Sequence, residues 1–271
     1  MTVKELSYIA NQDRKDDEAR GFAWRVFSGK VELSGTAENN WGLPIEIPDW
    51  ITQCHNVALG KRVFICGTGP SIVSQLETLK TMKNEDIWTV NRMVRWREFP
   101  FHPMCHAIAE PGPLLSWGDI MRNEYEFPGA LNKVAVSWWS VSAPGWLWCP
   151  KAPDDIQIRW QGMQGLDEKL APLPTGWASP LTISQLAAWM GYKEIYFLGC
   201  DTTQTGQAWD ATYGRTAKER NIRSILECFE RAGRDMKRAG RLMADCSTGG
   251  RINKEGCLEY IPLEVVLDYK G

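Results

Sequence analysis

The sequence predicts an α/β protein: a Rossmann-like, mostly parallel sheet with helices on both faces, plus a Trp/Pro-rich irregular insertion. Three observations carry this. Short apolar or β-branched runs recur along the chain: RVFIC at 62–66, DIWTV at 86–90, CHAIA at 105–109 and EIYFLG at 194–199. Stretches with apolar residues at helical spacing alternate with them. Two of the runs open directly into glycine-bearing polar loops, GTGPS at 67–71 and GCD at 199–201. The C-terminal ends of strands are where open α/β sheets place ligands.

Taken in order, residues 1–60 read as an N-terminal extension, and 61–271 as the nucleotide-binding domain with an insertion or lid at about 112–175. In the extension, FAWRVFSGKVEL at 22–33 suggests a hairpin around Ser28 and Gly29, NNWGLPIEIPDW is turn-rich, and 50–59 is a short helix-like run containing His55. At Lys61 the pattern changes. RVFIC predicts a strand, GTGPS a glycine turn, and 72–82 a helix with Ile72, Leu76 and Leu79 on one face and Ser71 as its cap.

DIWTV predicts the second parallel strand, ending at Asn91 and Arg92, and CHAIA a third, ending at Glu110. His102 and His106 flank Cys105, but HPMCH offers no third metal ligand. A strand is expected near 134–138, followed by turn signals rather than a sustained period. A helix from about Pro180 to Met190, stopped by Gly191, leads into the strand at 194–199. A long amphipathic helix at 216–239 ends at Gly240, 242–246 reads as a last strand, and Pro262 begins a terminal helix.

Composition narrows the function. Lys plus Arg is 31 against Asp plus Glu at 33, so a general basic field for nucleic acid is absent and a nucleic-acid partner is not expected. The eight cysteines are scattered without a CxxC pair, which suits a reducing compartment rather than a disulfide framework or zinc site. No run approaches the roughly 18 apolar residues of a membrane span. The first twenty residues mix charges and lack a signal-peptide core. A cytoplasmic protein is the expectation. The 14 tryptophans are unusual, and they can form either packing or stacking platforms.

The candidate site follows from the strand ends. Gly67, Thr68, Gly69, Pro70 and Ser71 form a turn whose backbone can approach a phosphate. Asn91 and Arg92 would lie beside it, with Ser179 at the start of the central helix and Asp201, Thr203 and Gln204 after the next strand. The same residues also suit a purely structural part: glycines permit tight turns, and Asn and Asp bond to neighbouring loops. Neither GK[ST] nor the third dinucleotide-fingerprint glycine is present.

Three blocks in order, RVFICGTGPSI, TVNRM and LAAWMGYKEIYFLGCD with QTG behind it, resemble the bacterial CMP-sialyltransferases of the lipooligosaccharide type. They also resemble the motility-accessory-factor proteins and the 6-hydroxymethylpterin pyrophosphokinase-like family. The ending DCSTGGRINKEGCLEYIPLEVVL is more similar to the latter two groups. The resemblance implies a Rossmann-like domain with a nucleotide across GTGPS, Asn91 and the loop before the central helix.

It implies donor-phosphate contacts at Thr68, Gly69 and Ser71, and a cytidine contact at Ser179. The chain departs from the sialyltransferases elsewhere. Thr203 and Trp209 stand at their phosphate-assisting tyrosines, Glu110 at a donor-contacting asparagine, and Arg215 near the histidine proposed as base. With no histidine after His106, Glu110 or Asp201 is the candidate base, while Tyr213 and Arg215 are candidates for stabilising phosphate charge. Trp177 and Trp209 are candidates for the acceptor cleft.

The leading expectation is a glycosyltransferase using a nucleotide-activated sugar, CMP-linked if the resemblance extends to the donor, with no required cofactor and an acceptor the sequence does not name. The alternatives are an ATP-dependent pterin-type diphosphokinase, with Mg²⁺ on oxygen ligands such as Asp201, Asp210 or Glu110, and a nucleotide-binding protein without catalysis.

Overall fold

The computed structural model describes residues 32–34, 49–91, 93, 96, 98–101, 103–109, 132–137, 140–142, 146–150, 178–202, 205–208, 210–214 and 219–268. Its centre is an eight-stranded sheet. The strands are β2 (Arg62–Cys66), β3 (Asp86–Val90), β4 (Cys105–Ile108), β5 (Asn132–Ser137), β7 (Trp146–Pro150), β8 (Glu194–Leu198), β11 (Leu242–Asp245) and β12 (Glu259–Tyr260). They run in the order β12-β11-β8-β2-β3-β4-β5-β7, every neighbouring pair parallel. Two small antiparallel pairs sit outside it: β1 (Glu32–Ser34) with β6 (Ser140–Ser142), and β9 (Thr205–Gln207) with β10 (Asp210–Gly214).

Central strands of a parallel sheet are buried on both faces, so successive residues feed opposite cores. Val63 and Ile65 of β2, Phe197 of β8 and Met243 of β11 join one core, under the helices Ser179–Trp189 and Glu219–Arg238. Phe64 and Cys66, Tyr196 and Leu198, and Ala244 join the other, with Ile72, Leu79, Leu263 and Val266 over them. Helices therefore cover both faces, as the sequence predicts. The helix Ser179–Trp189 is buried from Leu181 to Trp189, which fits its apolar, weakly amphipathic sequence. Gly191, with φ of +93°, ends its turn.

Several elements differ from the sequence reading. The helix expected at 72–82 is a 3₁₀ segment, Pro70–Gln75, followed by a single α-turn, Leu76–Leu79. Its N-cap is Gly69 rather than Ser71, and Gln75 is drawn under the sheet edge by a 2.6 Å hydrogen bond from its Nε2 to the Cys246 carbonyl.

Residues 49–60, read as the end of an appended segment, enter the main core. Ile51 is buried in it, the Trp189 indole donates to the Ile51 carbonyl at 2.7 Å, and the Asn56 and Ala58 amides donate to the carbonyls of Trp189 and Met190. Inside the expected insertion, β5 and β7 extend the parallel sheet. β7 escaped the reading because WLWCP ends in proline among turn signals, which a sheet-edge strand tolerates. The hairpin expected around Ser28 lies outside the described residues.

Candidate functional site

The chain enters the sheet at β2, builds outward through β3, β4, β5 and β7, and then returns to add β8 on the other side of β2 before continuing to β11 and β12. The strand order reverses between β2 and β8. At such a switch point the loops leaving the two strands diverge, and the crevice outside their C-terminal ends is the ligand position of doubly wound folds. GTGPS leaves β2 and GCD leaves β8, with Cys66 paired to Leu198 in the register.

The two loops interlock. Gly67 N–H donates to the Leu198 carbonyl and Gly69 N–H to the Gly199 carbonyl, each at 2.7 Å. A Cβ on Gly67 would stand 2.6 Å from the Gly199 oxygen, and one on Gly69 would stand 2.6 Å from Asp201 Oδ2. Gly199 has φ of +62° and meets the Gly67 oxygen in the same way, at 2.8 Å. The glycines of both motifs thus admit one loop to the other.

Asp201 completes the clasp. Its carboxylate accepts the Ser71 N–H at 2.9 Å and the Ser71 hydroxyl, which donates to the other oxygen. Its carbonyl accepts Arg251 N–H at 2.9 Å, and Gly250 lies so close that a Cβ there would be 3.0 Å from the Asp201 Cα. Burial raises the Asp201 pKa above the ordinary carboxylate value, and the two Ser71 hydrogen bonds oppose that rise. Thr68 is half-buried, and its carbonyl accepts Ala208 N–H at 2.9 Å, which ties the β9–β10 hairpin to the turn. Pro70 occupies the first turn of the 3₁₀ segment, where its missing N–H costs nothing.

A second corner lies at the end of β3. Asn91 has φ of +50°, a left-handed conformation that asparagine tolerates better than most residues. Its Nδ2 donates to the Ser179 hydroxyl at 2.8 Å, joining β3 to the first residue of the central helix. Its Oδ1 is buried and has no hydrogen-bond partner among the described residues.

The structure brings together Gly67, Thr68, Gly69, Pro70, Ser71 and Asp201, and pairs Asn91 with Ser179. Arg92, Glu110, Trp177, Thr203, Gln204, Trp209 and Arg215 lie outside the described residues. Asp210 and Tyr213 are placed by backbone on β10, with their side chains outside the description. As a Mg²⁺ ligand Asp201 fits poorly as found, because both carboxylate oxygens are taken by Ser71. Among the described residues no group of three His, Cys, Asp or Glu side chains is arranged to hold a metal ion.

Asp245 and Ser247 are additions that sequence reasoning missed. Both are fully buried at the end of β11, beside β8. The available signal was an acidic residue closing an apolar run, LMAD, the pattern that singled out Asp201. Burial, with the Asp201 charge adding to it, lifts the Asp245 carboxyl to about 6, against hydrogen bonds from Ser247 that lower it. Of the histidines, His55 stacks on Trp189 at 4.0 Å and His106 is buried against the Thr89 hydroxyl at 2.9 Å. Both serve packing.

No protein-family model matches the chain, and no curated protein sequence matches it. Among solved structures, the chain is similar to the sialyltransferase CstII from Campylobacter jejuni in complex with a substrate analogue, cytidine-5'-monophosphate. The two are 12% identical, over 76% of this chain and 86% of that one, with a TM-score of 0.48. The sialyltransferase CST-II in complex with trisaccharide acceptor and CMP is 12% identical, over 74% of this chain and 86% of that one, with a TM-score of 0.47. A point mutant of alpha-2,3/8-sialyltransferase CstII gives 12% identity, 74% and 87% coverage, and a TM-score of 0.44. The chemistry of the cleft rests on this chain's own residues. Among the described residues no helix is long and apolar enough to cross a membrane.

Proposed function

We propose that the chain is a glycosyltransferase-like enzyme that binds a nucleotide-activated sugar across the crevice at the β2/β8 switch point. The observation that carries this reading is the convergence there of polar strand ends, with the Asn91 Oδ1 left without a partner among the described residues beside Ser179. A buried acceptor without a partner costs about 1–3 kcal/mol, which a ligand N–H or O–H would offset. The resemblance of the sequence blocks to CMP-sialyltransferases supports a cytidine donor.

In such a transfer an acceptor hydroxyl attacks the sugar's anomeric carbon while the bond to the nucleotide phosphate breaks. One group must take the hydroxyl proton, and others must stabilise the departing phosphate. Asp201 is clasped by Ser71, so Glu110 is the better candidate for the base, with Tyr213 and Arg215 the candidates for stabilising the phosphate charge. The Gly67 and Gly69 N–H groups are already donated within the protein, so among the described residues Thr68, Asn91 and Ser179 are the candidates for polar contacts with the donor.

Thermal unfolding with CMP, UDP, ATP and GTP tests this reading. A nucleotide at a hundredfold its dissociation constant adds about 2.7 kcal/mol, and CMP should give the largest rise in Tm. Failure of all four to move Tm would overturn the reading. Release of AMP from ATP with strict Mg²⁺ dependence would replace it with diphosphoryl transfer. A crystal soaked with CMP and UDP should show density bridging Asn91 and Thr68.

A further inference from the structure

Behind the clasp, a second set of buried polar groups holds the loop that leaves β8. Asp245 lies opposite Phe197 in the parallel register, and Cys246 N–H donates to the Phe197 carbonyl at 2.8 Å. Ser247 N–H donates to Asp245 Oδ1 at 2.9 Å. The Ser247 oxygen in turn accepts Cys200 N–H at 3.1 Å. A continuous chain of hydrogen bonds thus runs from the β8 loop through Ser247 to the end of β11.

The loop needs such a hold. Gly199 and Thr202 both have positive φ, +62° and +50°, and for a β-branched residue that conformation persists only where the surroundings enforce it. Asp245 is 0% exposed, and its Oδ2 has no hydrogen-bond partner among the described residues. A buried oxygen of that kind is tolerated on a neutral carboxyl and costly on a charged one.

Among the described residues the titratable groups facing Asp245 are Asp201 and Cys200 from the β8 loop and the neighbouring Cys246, with Cys66 of β2 beyond. Burial holds these thiols protonated, so among the described residues the charge that Asp245 meets is the negative one of Asp201. Arg251 gives its backbone N–H to the Asp201 carbonyl and its guanidinium to Glu255.

We infer that Asp245 and Ser247 form a proton-controlled latch that positions the 199–202 loop: a proton on Asp245 holds the loop, and its loss loosens it. Asp245 is a positioning residue here, acting on Asp201 and Thr202 through Ser247 and the Cys200 amide. The latch stands on this geometry whether or not the cleft takes a nucleotide.

Hydrogen exchange at the Cys200 amide of the full chain, followed from about pH 4 to about pH 8 and corrected for intrinsic exchange, tests it. Protection should fall by about a hundredfold across that range in the parent protein. In Asp245→Asn, which keeps an acceptor for Ser247, it should stay high and flat. In Ser247→Ala it should be low throughout. A flat parent profile, or the same slope in Asp245→Asn, would overturn the latch. Should Asp245→Asn fail to fold, the parent and Ser247→Ala profiles decide, because a slope that survives unchanged without Ser247 also overturns it. Nucleotide binding with a flat profile would sink the latch alone, whereas a sloped profile without nucleotide binding would sink only the proposed function.

Discussion

The two corners of the crevice solve opposite problems. At the β2/β8 corner the donors of Gly67, Gly69 and Ser71 all end on protein acceptors, and three glycines exist to let one loop into the other. At the β3 corner, Asn91 turns its backbone left-handed, spends one side-chain group on Ser179 and keeps Oδ1 unpartnered among the described residues. The first corner is closed on itself, and the second keeps an acceptor that the proposed function gives to a ligand. A glycine-rich strand end therefore marks close backbone approach, and here the approaching backbone belongs to the protein.

If the β2/β8 corner is a clasp, its glycines should control stability more than binding. Gly67→Ala puts a Cβ 2.6 Å from a backbone oxygen that cannot swing away, and Gly69→Ala meets both Asp201 and the Gly199 carbonyl. Each should cost about 3 kcal/mol or more in urea unfolding. Gly249→Ala is the control. Unlike Gly67 and Gly69 it has positive φ, +75°, but nothing within 4 Å, so its cost is that of backbone conformation alone, about 1 kcal/mol. A loss at position 67 no larger than that at 249 would mean that the close approach of the two loops is not what the motif protects.

The acidic pair beneath the clasp gives the next effect. The folded state holds the Asp245 proton more tightly than the unfolded chain, at about 6 against 3.8. Its contribution is therefore complete below about pH 3.8 and is lost as pH rises through about 6. That loss amounts to about 3 kcal/mol. Denaturation of the parent and of Asp245→Asn across this range should diverge, with the variant lacking the fall and being the more stable of the two at neutral pH. Parallel curves would remove the buried carboxyl as their cause.

Ser71→Ala should cost less, about 1–2 kcal/mol, because Asp201 keeps the Ser71 N–H and loses only the hydroxyl. A loss as large as that of Gly67→Ala would mean that the hydroxyl, rather than the close packing of the loops, holds the corner.

Much of the scaffold was legible because parallel strands with two buried faces leave continuous apolar runs. RVFIC, DIWTV, CHAI and EIYFL all sit in the sheet at the expected places. β7 and β12 were not legible, since WLWCP carries a proline and EY is a two-residue edge. The pairing of Asn91 with Ser179 was legible only as proximity. What the sequence could not convey was direction: GTGPS looks the same whether its N–H groups await a phosphate or already bond the Gly199–Asp201 loop. That choice depends on a contact across 130 positions of chain, between Ser71 and Asp201. Asp245 and Ser247 were hidden for the same reason, because their roles arise from β11 lying beside β8.

The open corner is tested most sharply by a change that should barely touch folding. Asn91→Gly suits the left-handed backbone at least as well as asparagine does, so the strain term is removed as a confounder. It loses the hydrogen bond to Ser179 and the free Oδ1 together. Stability should change by no more than about 1 kcal/mol, the net worth of one such hydrogen bond. Nucleotide affinity, measured by calorimetry with CMP, should fall about tenfold, because a ligand donor loses its buried acceptor. Asn91→Asp sharpens the result: it restores an acceptor but adds a negative charge to a cleft proposed to take an anionic nucleotide, so affinity should fall further while folding is retained. Unchanged CMP affinity in Asn91→Gly would mean that this corner, like its neighbour, is closed within the protein.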